Sequence, residues 1–246
     1  QGIRVQMNCK ASTRGRGRRL APRLRFCRFL ECEAVAVGID PDPIPVGKPA
    51  SEKLHRQRIL QPLLDRPLTF ADQTAPNRLA IHPMEGCDAT EDGSPGDLTF
   101  RRYERFAAGG AGLIWVEAVA VCPEGRSNPR HLWLHEKNVE AFRLLADRIR
   151  ETARDRGSPQ PVVVLQLTHA GRFSRPEGVS TPVIAYHHAE LDGVHAVPAD
   201  LEPVTDEALD ALQDQFVRTA LLAWEAGFDG VDIKSCHRYL VSELLS

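Results

Sequence analysis

Apolar runs and amphipathic stretches alternate along the chain from residue 67 onward. Four short runs rich in aliphatic residues lie at 79–84, 111–121, 162–167 and 231–233. The second run, Ala-Gly-Leu-Ile-Trp-Val-Glu-Ala-Val-Ala-Val, is apolar almost throughout, which is typical of a parallel strand covered on both faces. We therefore predict four buried strands at these positions.

Helical periodicity fills the segments between the apolar runs. Helices are predicted from Leu98 to Ala108 and from Asn138 to Arg156, where apolar side chains recur three and four positions apart. A third helix begins at Thr205, because its hydroxyl can cap the helix and the two acids that follow favour the positive end of the dipole. A fourth helix begins at Leu240.

The connections complete the predicted architecture. Leu68-Thr-Phe and Ala75-Pro-Asn-Arg predict a hairpin around Asp72-Gln-Thr, ahead of the first strand. Residues 173–203 are predicted to form a long structureless connection, which is uncommon unless it caps a site. Residues 1–60 are basic and proline-rich and are predicted to be disordered. The fold class is therefore α/β: a hairpin and about the first four βα units of a (β/α)8 TIM barrel, over residues 61–246 and truncated at the C-terminal end.

Three polar side chains follow the last apolar run. Lys234, His237 and Tyr239 come directly after it, where a barrel places its chemistry, at the C-terminal ends of its strands. An ammonium, an imidazole and a phenol can donate hydrogen bonds or a proton to one substrate oxygen. We therefore take these three residues as candidate catalytic groups.

The stretch from Gly227 to Leu240, with its Lys-x-x-His-x-Tyr-Leu motif, resembles the Old Yellow Enzyme family of FMN-dependent oxidoreductases. That family usually has His-x-x-His or His-x-x-Asn followed by x-Tyr. The resemblance implies that Lys234 and His237 hold a substrate carbonyl, that Tyr239 donates a proton, and that Cys87 contacts the substrate. Lysine in place of histidine implies a substrate with a carboxylate or another strongly polarised oxygen, unless Glu85 or Asp232 neutralises Lys234.

The same resemblance implies which residues contact FMN: His82, Pro83, Met84, Glu85, Ala118 and Gln166. The sequence without the resemblance supports a simpler interpretation: residues 82–85 are a strand terminus with a turn-forming proline, and Ala118 is a buried small residue. An amide such as Gln166 both donates and accepts, which suits the edge of a flavin ring. Because barrels grip phosphate with loops after strands seven and eight, this chain alone is expected to bind FMN weakly.

The distribution of charge and the spacing of the cysteines limit the kinds of partner, metal site and cellular location that we expect. The first 30 residues carry nine Lys or Arg and no acid, whereas the rest of the chain holds 22 basic and 33 acidic residues. The acidic main body gives no electrostatic reason to bind nucleic acid. The six cysteines form no Cys-x-x-Cys pair and no spaced metal motif, so we expect a reducing, cytoplasmic location and no metal site. No apolar run has the length of a membrane span or the character of a signal peptide.

The sequence thus predicts an FMN-dependent oxidoreductase of the ene-reductase type, with NADH or NADPH as electron donor and a small-molecule substrate. One alternative is a flavin-dependent dehydrogenase or demethylase of the same family with iron–sulfur domains further along. A second is a flavin-free α/β-barrel lyase or isomerase that uses Lys234 as a Schiff-base or general-base residue. A third is an inactive fragment, and homo-oligomer formation is left open.

Overall fold

A computed structural model describes residues 62–70 and 73–246. The predictions of a disordered extension at residues 1–60, and of a turn at Asp72, fall outside the described residues. The elements in chain order are β1 (Leu68–Phe70), β2 (Gln73–Ala75), β3 (Ala80–Ile81), α1 (Asp97–Ala108), β4 (Leu113–Ala120), α2 (Val139–Asp155), β5 (Val162–Thr168), α3 (Ala189–His195), α4 (Asp206–Glu225), β6 (Gly230–Ile233) and α5 (Leu240–Leu244).

Within residues 73–246, four parallel strands form the central sheet in the order β3-β4-β5-β6. Each is followed along the chain by a helix, so the four predicted βα units are confirmed. Because neighbouring strands are consecutive in sequence, every connection is a crossover between adjacent parallel strands, of the kind that builds a TIM barrel. The strand interiors are apolar as predicted, with Ile114, Val163 and Leu165 completely buried.

Helix α2 shows how periodicity fixes the packing. Phe142, Leu145 and Ile149 lie on one face and are fully buried in the core cluster, which also takes in Ile114 and Leu165 of the sheet. Burying each of these side chains contributes about 1.5–3 kcal/mol. Helix α4 begins as predicted, with the Thr205 hydroxyl accepting a hydrogen bond from the Ala208 amide.

The N-terminal hairpin and the first barrel strand differ in detail from the prediction. Strands β1 and β2 are antiparallel with Phe70 opposite Gln73, so Gln73 and Thr74 belong to the strand rather than to the turn. The hydroxyl of Thr74 lies 3.1 Å from that of Thr69 across the pair, a contact that strand placement allows. Strand β3 covers only Ala80–Ile81 of the predicted 79–84, because Pro83 has no amide to donate to a ladder.

The prediction that residues 173–203 lack secondary structure is wrong in part. They contain α3, and the buried guanidinium of Arg172 fastens the connection by donating to Glu243 at 2.5 Å, to Asp192 and to the Tyr186 carbonyl. Sequence periodicity missed α3 because it is short and has no buried residue. Among the described residues, no helix combines the length and hydropathy that crossing a bilayer requires.

Candidate active site

The loops after β3 and β6 meet, although these two strands are the outer strands of the described sheet. In a flat sheet they would lie about 14 Å apart, at roughly 4.8 Å per neighbouring pair. Glu85, four residues after β3, nevertheless bonds to Lys234 directly after β6. The sheet must therefore curve toward closure, as a barrel sheet does.

Glu85, Lys234 and Tyr239 form a hydrogen-bonded group that we call the Glu85 cluster. The Lys234 ammonium donates to Oε1 of Glu85, and the Tyr239 hydroxyl lies 3.1 Å from Oε1 and 3.2 Å from Oε2. Lys234 is only 4 % exposed, and its Nζ lies 4.1 Å from the centroid of the Tyr239 ring. The positive charge of Lys234 is thus committed to Glu85, which is the internally paired arrangement that the sequence left open.

The electrostatics of this cluster keep Glu85 ionised near neutral pH. Burial works to raise the pKa of Glu85, but charge on His131 and hydrogen bonds from Lys234 and Tyr239 lower it, and the net pKa lies below its ordinary value. Burial also lowers the pKa of His131 to about 4, so this imidazole is neutral at pH 7. Lys234 and Tyr239 are therefore the groups that hold the carboxylate charged at that pH.

Tyr239 is a weak acid in this arrangement. Burial and the negative charge of Glu85 raise the pKa of its phenol well above the ordinary value. Its ring is 8 % exposed and lies 5.5 Å, centroid to centroid, from the ring of Phe173. The hydroxyl is consequently fixed in direction, with its proton held toward Glu85.

His237 lies on an exposed and conformationally unusual turn. His237 and Arg238 adopt φ values of 60° and 57°, in the left-handed region that residues other than glycine rarely occupy. Consecutive residues of this kind are held against local strain and cluster at functional sites. The His237 side chain is exposed and makes no hydrogen bond to the described residues.

Cys87 borders the cluster from the β3 side. It is exposed, its φ is 50°, and its Sγ accepts a hydrogen bond from the Asn128 amide at 3.2 Å. Burial and nearby carboxylates, Glu85 among them, raise the pKa of this thiol. Cys87 therefore remains a neutral thiol at pH 7, suited to contact rather than to nucleophilic attack.

The residues assigned to FMN lie along the carboxyl ends of β3, β4 and β5. His82 and Met84 are exposed, Met84 by 71 %, and Pro83 is half-buried between them. Ala118 is fully buried, and its carbonyl lies 2.9 Å from Nε2 of His131.

Gln166, near the carboxyl end of β5, is a buried amide with only 6 % exposure. Its Nε2 donates to Asp232 at 2.7 Å, while its Oε1 accepts no hydrogen bond from the described residues. An exposed apolar thioether together with an open amide oxygen fits the face and edge of a flavin ring. These residues therefore fit the ring portion of FMN.

A second ionic network holds the loop that carries Glu85 and was missed by sequence reasoning. Arg102 of α1 pairs with Asp88, at 2.5 Å, and with Glu117, whose Oε2 accepts the Gly86 amide at 2.5 Å. A Cβ on Gly86 would lie 2.2 Å from the Arg102 guanidinium, so a side chain there would displace the end of Arg102 from this network. The only sequence signal was an acid, Glu117, inside an otherwise apolar run.

In the part of the chain that the structure describes, one group of potential metal ligands lies outside the Glu85 cluster. Ligand atoms of Cys122, Glu124 and His169 lie within 4.8 Å of one another. However, Nδ1 of His169 accepts the Gly171 amide at 3.0 Å, so the neutral ring carries its proton on Nε2. That nitrogen is then a hydrogen-bond donor rather than a metal ligand. A neighbouring cleft of about 270 Å³, between the loop after β4 and helix α4, contains none of the Glu85 cluster.

The fold and the site define the class of protein. The chain belongs to the NADH:flavin oxidoreductase / NADH oxidase family, whose sequence profile matches residues 64–246. The family resemblance inferred from the residues after β6 is thereby confirmed, together with the TIM-barrel fold class.

The individual relatives agree with this assignment. The NADPH dehydrogenase of Bacillus subtilis (strain 168) is 33 % identical over 184 residues, which are 73 % of this chain and 50 % of that protein. The NADPH dehydrogenase of Listeria welshimeri is 35 % identical over 179 residues, covering 71 % of this chain and 48 % of its own.

Two solved structures resemble the described fold. The Old Yellow Enzyme of Trypanosoma cruzi superposes with a TM-score of 0.57 at 26 % identity, over 74 % of this chain and 53 % of that one. The Old Yellow Enzyme homologue of Zymomonas mobilis gives a TM-score of 0.56 at 27 % identity, over 72 % and 49 % of the two chains. The chain spans about half the length of the curated relatives that it matches.

Proposed function

We propose that this chain is part of an FMN-dependent oxidoreductase that takes electrons from NADH or NADPH and reduces an activated alkene in a small molecule. The observation that carries the proposal is the contact between the Glu85 loop and the segment after β6. This contact brings the candidate proton donor Tyr239 beside the residues that fit a flavin ring. Family membership supports the cofactor, and relatives named NADPH dehydrogenase support the electron donor.

Each residue has a distinct role in this proposal. When bound, FMN supplies hydride chemistry to the reaction. Met84 and Pro83 would hold the flavin ring, and the Gln166 oxygen would accept a hydrogen bond from it. The exposed imidazole of His237 donates to the substrate oxygen, which stabilises the negative charge that develops there. Tyr239 holds the proton that goes to the carbon next to the one that receives hydride.

Lys234 has a supporting role in this mechanism rather than a contact with the substrate. It is almost completely buried, it is ion-paired with Glu85, and its ammonium packs on the Tyr239 ring. A Schiff-base lysine must present a neutral, accessible amine, so this environment does not support the lyase or isomerase alternative. Because Glu85 already neutralises the Lys234 ammonium, there is no longer a reason to expect a substrate carboxylate at Lys234.

The test uses the natural full-length protein. We expect it to purify yellow or to bind added FMN stoichiometrically, and NADPH or NADH to bleach the flavin absorbance under anaerobic conditions. Activated alkenes should then restore the absorbance. A protein that neither binds FMN nor oxidises a nicotinamide would overturn the proposal.

A further inference from the structure

The two oxygens of the Glu85 carboxylate accept different sets of hydrogen bonds, and Oε2 can accept another. Oε1 accepts a hydrogen bond from Lys234 and one from Tyr239. Oε2 has only two long contacts, at 3.2 Å to the Tyr239 hydroxyl and at 3.4 Å to the Ser127 hydroxyl. A carboxylate has about four lone-pair sites, so Oε2 retains acceptor capacity. The Glu85 side chain is 17 % exposed, so the carboxylate is not fully enclosed by protein.

The same carboxylate restrains the proton donor. The Tyr239 hydroxyl has a single proton, and the two Glu85 oxygens within 3.2 Å are its acceptors among the described residues. For Tyr239 to protonate a substrate carbon, this hydrogen bond must break and leave a half-buried carboxylate short of one donor. Leaving a charged acceptor unsatisfied is costly, so a replacement donor would ease the step.

We propose that Glu85 is a specificity-determining residue that binds a hydrogen-bond donor of the substrate and thereby releases the Tyr239 proton. The inference rests on the proposed function and names its substrate class. That class is an activated alkene that also carries a hydroxyl, N–H or ammonium group near the reacting carbon. A substrate carboxylate at the same position is excluded, because it would face Glu85 with like charge.

The step involves proton transfer only at this point, and its atoms balance. The phenol O–H bond of Tyr239 breaks, and its proton forms the new bond to the substrate carbon that has received hydride on its neighbour. The Lys234 ammonium, 4.1 Å from the centroid of the Tyr239 ring, stabilises the negative charge of the tyrosinate that remains. Glu85 keeps its charge throughout and exchanges one hydrogen-bond donor for another.

The experiment compares cyclohexenone with its ring-hydroxylated analogues in the natural full-length, FMN-loaded protein. We expect the best hydroxylated analogue to show a kcat/KM about 10- to 100-fold above that of cyclohexenone, the range for one hydrogen bond to a charged group. Glu85→Gln should reduce this ratio to near unity, because an amide held by Lys234 through its oxygen presents N–H groups to Tyr239 and the substrate. Glu140→Gln removes an exposed acid from α2 and should leave the ratio unchanged.

A readout that does not need flavin separates this inference from the proposed function. In a rapid jump to about pH 11, above the ordinary tyrosine pKa, a larger fraction of Tyr239 should ionise in Glu85→Gln than in the native protein, because the variant keeps the burial of the phenol but loses the negative charge beside it. The difference from matched Tyr239→Phe variants isolates its phenolate absorbance. The groups that face the phenol are Glu85, Lys234, Ser127 and Cys87. If Glu85→Gln folds poorly, the Glu85→Gln/Lys234→Met double variant removes both charges and serves the same purpose.

The outcomes are distinct. A hydroxyl advantage that depends on Glu85, with the shift in phenolate absorbance, supports the inference. Equal kcat/KM for the plain and hydroxylated alkenes in the native enzyme overturns it while leaving the proposed function intact. Absence of FMN binding overturns the proposed function, and the phenolate measurement then still decides whether Glu85 restrains Tyr239.

Discussion

Replacing Lys234 with methionine should destabilise the fold strongly, because it leaves the buried Glu85 carboxylate without its positively charged partner. Both partners are largely out of solvent, with side-chain exposures of 4 % and 17 %. Removing one member of a buried ion pair costs about 3–5 kcal/mol. We expect a loss near the lower end, about 3 kcal/mol, because Glu85 retains Tyr239 as a donor and some contact with water. For a domain of this size the melting temperature should fall by about 6–12 °C.

The loss should depend on pH in a defined direction. In the native protein the pKa of Glu85 is lowered, so its ionised form contributes stability that is present above the unfolded pKa and is lost as pH falls through the folded pKa. Without Lys234, burial becomes the dominant effect and raises that pKa, so the ionised form then opposes folding. The difference between the native protein and Lys234→Met should therefore grow from about pH 4 to about pH 7.

Urea unfolding followed by circular dichroism measures this difference at each pH. The double variant Lys234→Met/Glu85→Gln should recover most of the loss, because it buries two neutral groups in place of one stranded charge. Arg143→Met removes an exposed helix pair with Glu140 and should change stability by less than about 1 kcal/mol. If Lys234→Met unfolds like the native protein at pH 7, Lys234 is not paired with Glu85 and our explanation of the site is wrong.

Three further predictions concern the scaffold and the cofactor. Gly171→Ala should lower the free energy of unfolding by more than about 1 kcal/mol, because φ is +60° and a Cβ would lie 2.7 Å from the Leu240 amide; thermal melting checks this. Arg172→Met should cost about 3–5 kcal/mol by stranding the buried carboxylate of Glu243, whereas adding Glu243→Gln should recover part of it in urea unfolding. In a fluorescence titration, this chain alone should bind FMN far more weakly than the natural full-length protein, since its described residues supply four of eight barrel strands; equal affinities would contradict that expectation.

The βα units of the fold could be predicted from the sequence because the apolar residues recur with a clear strand or helix pattern. The continuous run before Val121 and the stripe of Phe142, Leu145 and Ile149 each point to one structure. The errors lie where local chemistry is ambiguous. Thr74 is compatible with a turn or a strand, and helix α3 has only seven residues, none of them buried, which is too short for a clear helical period.

The candidate site could be located from sequence, but its internal partners could not. Lys234 and Tyr239 were recognised from their place after a strand, whereas the choice between substrate and Glu85 as partner for Lys234 depends on curvature of the sheet. Glu85 and Lys234 are 149 positions apart, and no local pattern records that contact. Arg102 was missed for the same reason, because its carboxylate partners lie on another strand and loop.

The most direct test of the account is a pair of anaerobic half-reactions of the natural full-length protein, native and Tyr239→Phe. Reduction of the flavin by NADPH or NADH should proceed at the same rate in both, because the phenol takes no part in it. Reoxidation by an activated alkene should be slower in Tyr239→Phe by about 10²–10⁴, the usual contribution of a positioned proton donor. Equal rates of reoxidation, or equal slowing of both half-reactions, would contradict the assignment of Tyr239 and of the site built around it.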